Sequence, residues 1–149
     1  MSISRLYYRK PIDPDDPDCL YVTLEELENM HSHKTGALIK ASVLLPALIA
    51  EPSDTDLLSR LDGYAAAVGL SFQIVDDILD VVSDTETLGK TQGADIALNK
   101  PTYPALLGLA GAREHAMNMH QTALRHLDGL GEEFDELRNL SHYIVERTY

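Results

Sequence analysis

The sequence is poor in cysteine, in positive charge and in long apolar runs. Its single cysteine, Cys19, cannot close an internal disulfide, so disulfide-built scaffolds are excluded and a reducing cytoplasm is the expected location. There are 12 Lys and Arg residues against 24 Asp and Glu, and the net charge of −12 argues against nucleic acid or an anionic membrane as the main partner. No apolar run is long enough to span a bilayer, and the N-terminal segment lacks a signal-peptide core.

The remaining pattern is that of one helical domain. With 149 residues and 44% hydrophobic content, the chain has room for one buried core. No segment combines strand-like alternation with hairpin turn residues, so the predicted fold class is all-α. Residues 1–21 are expected to be irregular, because Pro11, Pro14 and Pro17 stand among aspartates and reject both helix and strand.

Capping residues and prolines mark the predicted helices. Thr23 opens the first helix, with Glu26 three residues later as a capping box, and the helix should run to about Ile49 with a bend near Pro46. Pro104 suits the first turn of a short helix. The other expected segments are a helix from Ser53 or Asp54, the apolar segment 68–82, a polar loop over 84–100, and helices over 112–128 and 132–147.

Three aspartates and a glutamine form a narrow stripe on the most apolar predicted helix. With Asp76 as the origin and about 100° per residue, Asp80 lies at about 40° and Gln73 at about 60°. Asp77 lies at about 100° on the same wheel. Asp76 and Asp80 are like charges at i and i+4, which weakens a helix unless a cation offsets them. Carboxylate oxygens suit Mg²⁺, but a solvated acidic face without a ligand is the alternative.

Lys34 falls on the apolar stripe of the first predicted helix. The residues within about 40° of it are Leu27, Met30, Leu38, Ala41, Leu45 and Leu48. A lysine on such a face either extends to solvent or meets an anion. Thr35 beside it offers a hydroxyl, and Gly36 would let a ligand approach closely.

The polar loop carries Gly89, Lys90 and Thr91 and ends at Lys100. A phosphate-binding P-loop is excluded, because that motif needs a glycine where Asp84 stands and a strand before it. Glycines with lysines fit a lid that closes over an anionic ligand, while a plain exposed loop is the alternative.

The histidines form no predicted metal site. His31 and His33 are two residues apart, so on a helix they diverge. His115, His120 and His126 are expected to be solvated along an amphipathic helix. No Ser-His-Asp or Cys-His arrangement indicates nucleophilic catalysis.

Taken in order, these segments resemble the polyprenyl diphosphate synthases, and in particular the bacterial farnesyl diphosphate synthases. The matching segments are His33-Lys34-Thr35-Gly36, Phe72-Gln73-Ile74-Val75-Asp76-Asp77-Ile78-Leu79-Asp80, Gly89-Lys90 and Lys100-Pro101-Thr102-Tyr103-Pro104. The F-Q-x-x-D-D-x-x-D segment is the most specific of them. The resemblance implies an incomplete helical bundle of the isoprenoid-synthase type, with residues 22–149 as the C-terminal part of its helical domain.

The resemblance also implies a transferase that condenses an allylic diphosphate with isopentenyl diphosphate. In such enzymes the second aspartate-rich motif binds Mg²⁺ against the allylic diphosphate. The matching metal ligands are Asp76, Asp77 and Asp80, with Asp76 as the direct ligand. The lysines that hold the diphosphate match Lys34, Lys90 and Lys100. Thr35 and Gln73 match residues near the departing group and the carbocation, so the implied catalytic residues are Lys34, Thr35 and Gln73.

The sequence departs from the family pattern in having one aspartate-rich helix where the family has two. Cys19 stands where a last aspartate would follow Asp15-Asp16, and the prolines forbid a helix there. We therefore expect a fragment or part of a split enzyme, inactive alone, with uncovered apolar helix faces and either a homodimer or an N-terminal half as partner. The alternatives are an inactive Mg²⁺-diphosphate-binding module, a decayed gene product, or a helical protein without a ligand.

Overall fold

The computed structural model of the chain describes residues 22–50, 53–88 and 101–147. Within these ranges there are α-helices and no strand, so the predicted all-α fold class is confirmed. The helices are α1 (Leu24–His31), α2 (Ala37–Ala50), α3 (Thr55–Leu88), α4 (Tyr103–His126) and α5 (Asp135–Glu146). A π-helical turn, Ser32–Gly36, joins α1 to α2, and a 3-10 turn, Glu132–Phe134, precedes α5. The predicted irregular segment 1–21 and the loop residues 89–100 lie outside the described residues.

The start of α1 is the predicted capping box. The Thr23 hydroxyl accepts from the Glu26 N–H at 3.2 Å, and the Glu26 carboxylate accepts from the Thr23 N–H at 2.9 Å. The predicted extent of the first helix is nearly right, because the helical segment ends at Ala50 with Pro46 inside α2. What the sequence pattern did not indicate is the π turn in its middle.

The π turn changes which face of α2 meets the core. Leu27 on α1 is fully buried, but Lys34 and, further along, Leu38 and Leu45 are exposed. The prediction that Lys34 lies on one continuous core-facing stripe is therefore wrong. A π turn holds more residues per turn than an α-helix, so a wheel drawn with an unbroken 3.6 repeat loses its phase there.

The inner face of α2 consists instead of Ile39, Val43, Leu44 and Ala47, which pack against the core. The outer face carries the exposed apolar residues Leu38 (71% exposed), Leu45 (57%), Leu48 (45%) and Ile49 (82%). We call these four residues the outer face of α2. Uncovered apolar surface on the helix after Lys34 was expected from the sequence and is confirmed.

The long helix α3 is the centre of the fold. Asp54 caps its start by accepting from the Leu57 N–H at 2.9 Å. The predicted helix from residue 53 or 54 and the apolar segment 68–82 are one continuous helix of 34 residues, about 51 Å long. The helix continues to Leu88, so the prediction of a loop from Asp84 is wrong by about one turn.

The helix α3 packs against the π turn, α2, α4 and α5. Its buried residues include Leu61, Tyr64, Val68, Ile74, Val75 and Ile78. Gly69 faces the π turn, since an added Cβ there would lie 3.7 Å from Gly36 Cα, an ordinary van der Waals distance. This contact seats the segment that carries Lys34 and Thr35 directly against α3.

The helix α4 begins as the sequence predicts. Thr102 is the N-cap and accepts from the Ala105 N–H at 3.3 Å, with Pro104 in the first turn. The predicted short helix and the next helix meet at a kink at Gly108, where φ is 71° and ψ is 163°. Only glycine adopts this conformation readily.

Two arginines close the turn between α4 and α5. Arg138 donates to the carbonyls of Leu127 at 2.8 Å and Leu130 at 2.7 Å. Arg60 on α3 donates to the carbonyls of His126 and Asp128.

Across the described ranges, no helix has the length and apolar character needed to cross a membrane.

Candidate functional site

The lysine-bearing π turn packs on α3 near Gly69, about two helical turns before Asp76. Lys34 and Thr35 belong to this turn, and Gly36 approaches Gly69 on α3. His31, the last residue of α1, contacts Gln73 one turn before Asp76. Single-turn π-helices occur frequently at functional sites, because the wide turn presents backbone and side chains at angles that a regular helix does not offer.

The three aspartates of α3 differ in their exposure to solvent. Asp80 is exposed, whereas Asp76, with 45% of its side chain exposed, and Asp77 are half-buried. Among the described residues, no three His, Cys, Asp or Glu side chains lie close enough together to hold a metal ion. Asp76 and Asp80 are one helical turn apart and offer hard oxygen ligands. This donor set fits Mg²⁺, which typically uses one or two carboxylates and takes its other ligands from water and phosphate.

Arg147 supplies the positive charge next to the acidic stripe. Its Nη2 lies 2.6 Å from Asp76 Oδ1 and donates to the Phe72 carbonyl at 3.4 Å. The guanidinium also lies 4.4 Å from the centroid of the Phe72 ring, a cation–π contact. Because the pair is partly exposed, it contributes only about 0–1 kcal/mol to stability. A pair this weak leaves the Asp76 carboxylate accessible to a stronger cation.

Asp77 is joined to the start of α4. Its Oδ2 accepts from the Tyr103 N–H at 3.1 Å. Burial raises the pKa of Asp77 above its ordinary value, while the Tyr103 N–H and nearby His31 oppose that rise. The carboxylate thus satisfies one of the unpaired N–H groups at a helix N-terminus, where negative charge is favourable.

A buried polar cluster lies behind these residues, formed by Glu28, His31, Gln73, Tyr103 and His115. His31 Nδ1 is 2.8 Å from Gln73 Oε1, and the His31 ring stacks on Tyr103 at 5.5 Å between centroids. His115 pairs with Glu28 at 2.8 Å and lies 6.0 Å from the Tyr103 ring. Burial raises the pKa of Tyr103, with Glu28 adding to the effect, so its hydroxyl stays protonated.

The sequence-predicted residues are only partly brought together. Gln73 is buried in the polar cluster, and Asp76, Asp77 and Asp80 follow it on α3. Lys34 and Thr35 lie on the adjacent π turn. Lys90 and Lys100 fall outside the described residues.

Sequence reasoning missed His31, Tyr103 and Arg147. For His31 the sequence argued only against a metal site shared with His33, which is exposed and contacts the Asn29 carbonyl at 2.8 Å. Tyr103 was seen as part of a motif but without a role. Arg147 contacts a residue 71 positions earlier, which no local pattern reveals. A useful signal for Arg147 was the absence of any cation within the acidic turn itself.

The prediction that the later histidines are solvated is wrong for His120. This residue is 5% exposed and hydrogen-bonded to the Ser141 hydroxyl at 2.7 Å. His115 is also largely enclosed by its contacts with Glu28 and Tyr103. Both histidines face neighbouring helices because α4 is covered on more than one side.

Comparison with known proteins gives a consistent result. The family model described as Polyprenyl synthetase matches residues 11–139. The farnesyl diphosphate synthase of Escherichia coli (strain K12) is 50% identical over 136 residues, which cover 89% of this chain and 46% of that enzyme.

Solved structures give the same picture. An FPP/GFPP synthase from Zymomonas mobilis has 31% identity and a TM-score of 0.69, covering 87% of this chain and 40% of that one. A geranyltransferase from Helicobacter pylori, complexed with magnesium and isoprenyl diphosphate, has 32% identity and a TM-score of 0.64, covering 85% of this chain and 41% of that one. The chain therefore spans less than half the length of each of these relatives.

Proposed function

The chain belongs to the polyprenyl synthetase family, and on that basis we propose that it serves in the condensation of an allylic diphosphate with isopentenyl diphosphate. Residues 22–149 would form the C-terminal part of the helical domain of such a prenyltransferase. The observation that supports the proposal is the packing of the Lys34–Thr35 turn on α3, the helix that also carries Gln73, Asp76 and Asp80. Cations and carboxylates on adjacent elements suit a magnesium-bound diphosphate.

In this proposal Asp76 and Asp80 hold Mg²⁺ at the diphosphate of the allylic substrate. The geranyltransferase from Helicobacter pylori is complexed with magnesium and isoprenyl diphosphate, which supports this choice of ion. Asp77 remains a predicted ligand, although its Oδ2 already accepts from Tyr103. When bound, Mg²⁺ would neutralise the charge that grows on the departing diphosphate.

The side chains of the chain itself do the rest of the proposed work. Lys34, together with Lys90 and Lys100, would hold the diphosphate oxygens and stabilise its charge as it leaves. Thr35 and Gln73 would stand near the departing group and the allylic cation. The new carbon–carbon bond forms when the double bond of isopentenyl diphosphate attacks that cation, and loss of a proton gives the longer prenyl diphosphate. Apolar walls would keep water from the cation.

The test is binding of geranyl diphosphate with Mg²⁺ to the purified chain, measured by calorimetry. Replacing Asp76 and Asp80 with Asn should weaken Mg²⁺-dependent binding at least about tenfold, which corresponds to about 1.4 kcal/mol. Asp56→Asn is the matched control, because Asp56 lies on the same helix in its first turn. Equal affinities for the double variant and the control would remove Asp76 and Asp80 from the site.

A second candidate function is a module that binds Mg²⁺ and diphosphate without turnover. The chain covers only 46% of its Escherichia coli relative, so it can bind the substrate without carrying every residue that catalysis needs. The two are distinguished by incubating the chain with geranyl and isopentenyl diphosphates and Mg²⁺ and measuring product. Binding without product would favour the module, while product at rates typical of an enzyme would favour the complete reaction.

The outer face of α2 is an apolar surface that supports a proposal about the partner of the chain. Four apolar side chains, between 45% and 82% exposed, lie along one side of this helix. We propose that a second copy of the chain or an N-terminal half of the domain covers them. The cytoplasm is the proposed location, supported by the single cysteine.

A further inference from the structure

We propose that His31 and Tyr103 are positioning residues that hold the lysine-bearing π turn in register with the acidic segment of α3. His31 would do so through its hydrogen bond to Gln73, and Tyr103 through its ring and its backbone N–H. The inference rests on the proposed function, because it concerns the same site. It adds two residues to that site, and both are proposed to act through their contacts with Gln73 and Asp77.

The first contact ties α1 to α3. His31 Nδ1 and Gln73 Oε1 are 2.8 Å apart, and the two residues are 92% buried or more. Because an amide oxygen only accepts, Nδ1 must carry the proton and donate it. The bond therefore fixes both the tautomer of His31 and the orientation of the Gln73 side chain. Gln73 precedes Asp76 by three residues, and His31 precedes Lys34 by three.

The second contact ties both helices to the start of α4. The Tyr103 ring stacks on His31 with an interplanar angle of 24°, while the Tyr103 N–H donates to Asp77 Oδ2 at 3.1 Å. One residue thus contacts the histidine with its side chain and the carboxylate with its backbone. Tyr103 is fully buried. The helices α1, α3 and α4 are joined at this point, and the π turn with Lys34 and Thr35 follows directly after α1.

The polar character of this joint argues against ordinary core packing. Within the described part of the chain, His31 Nε2 and the Tyr103 hydroxyl are buried without a hydrogen-bond partner. Each such atom costs free energy that leucine and phenylalanine at the same positions would avoid. The contacts of His31 and Tyr103 are therefore kept although two buried polar atoms lower the stability. This is expected where the position of the π-turn side chains relative to those of α3 matters more than stability.

The experiment compares three variants of the full chain. His31→Leu removes the donor, His31→Asn places an amide N–H where it can replace Nδ1–H, and His33→Leu changes an exposed histidine of the same turn. Two quantities are measured: hydrogen-exchange protection of the amides of Ser32–Gly36, and the affinity for geranyl diphosphate with Mg²⁺.

We expect His31→Leu to lower the protection of the π-turn amides about tenfold and to weaken binding by a similar factor. His31→Asn should recover most of both losses, and His33→Leu should match the unchanged chain. Should His31→Leu fail to fold, Gln73→Leu removes the acceptor from the other side. It should lower π-turn protection in the same way, although residue 73 is about 40 positions away in sequence.

The two readouts separate the inference from the proposed function. Unchanged π-turn protection in both His31→Leu and Gln73→Leu would overturn the inference, whatever the binding result. Equal losses in His31→Leu and His31→Asn would also overturn it, because the effect would then be one of shape. The third outcome is that His31→Leu loses π-turn protection while the unchanged chain itself does not bind geranyl diphosphate. This outcome would support the positioning role of His31 and reject the proposed function.

Discussion

At the level of single residues, burial changes the chemistry of His120. Its ring is 5% exposed, contacts Ser141 at 2.7 Å and lies 4.6 Å from the His142 ring. Desolvation and the neighbouring His142 lower the pKa of His120, while Glu146 and Ser141 oppose them. The folded state therefore favours the neutral imidazole, whereas the unfolded chain takes up a proton at the ordinary pKa.

This difference predicts a pH dependence of stability. Between the ordinary histidine pKa of about 6.5 and the lower folded-state value, the unfolded chain binds more protons, so the contribution is present above pH 6.5 and is lost as pH falls. Urea unfolding at pH 7.5 and 5.5 should show a smaller acid-induced loss in His120→Gln than in the unchanged chain. His33→Gln is the control, and an equal reduction there would contradict the assignment to His120.

At the level of secondary structure, one hydrogen bond connects α3 to α5. The Tyr64 hydroxyl, on a fully buried side chain, donates to the Leu137 carbonyl at 2.7 Å. Burial raises the pKa of Tyr64 to about 12, so the donor is present throughout the ordinary pH range. The bond anchors α5, and Arg147, the residue directly after this helix, reaches Asp76.

Replacing Tyr64 with Phe should lower the free energy of unfolding by about 1–2 kcal/mol, because the buried Leu137 carbonyl loses its donor while the ring is kept. Denaturant unfolding measures the loss. Tyr143→Phe is the matched control, since Tyr143 on α5 is 65% exposed and should change stability by less than about 0.5 kcal/mol. Similar losses in the two variants would mean that the Tyr64 hydroxyl contributes nothing specific.

The helices could be predicted where their signals are local. The capping box at Thr23, the N-cap at Thr102 and the proline after it mark helix starts that the structure contains. The π turn could not be predicted in this way, because its five residues are ordinary in composition and the turn depends on how α2 packs on α3. The end of α3 was placed too early for the opposite reason, since polar residues there continue an already formed helix.

The candidate site likewise has features that the sequence predicts and features that it does not. The spacing of Asp76 and Asp80 was readable, because it depends on one helix. The partners of the aspartates were not readable, since Arg147 and Tyr103 come from distant segments that meet only in the folded chain. The buried role of His31 was missed because a lone histidine carries no periodic signal.

At the level of the whole molecule, charge and apolar surface oppose one another. The net charge of −12 keeps copies of the chain apart, while the outer face of α2 exposes Leu38 and Ile49 by 71% and 82%. Added salt screens the charge and leaves the apolar surface unchanged. Association through α2 should therefore strengthen as ionic strength rises.

Sedimentation velocity at high protein concentration tests this surface directly. The unchanged chain should self-associate, and Leu38→Gln with Ile49→Gln should shift it towards monomer by at least a severalfold weaker association. Tyr143→Gln, which changes a 65% exposed side chain on α5 away from the outer face of α2, should leave association unchanged. A monomeric unchanged chain at the same concentration and high salt would contradict the prediction.

The π turn determines the rotation of α2 about its own axis. Rewinding the Ser32–Gly36 turn to regular α-helical pitch, with no residue removed, would rotate α2 by about 100° about its axis. Such a rotation would exchange Ile39 and Val43, now packed inward, for Leu38 and Leu45. Packing of the inner face of α2 against α3 thus stabilises the π-helical conformation of the turn. A partner that binds the outer face of α2 should therefore favour one rotation of this helix, and with it one position of Lys34 and Thr35.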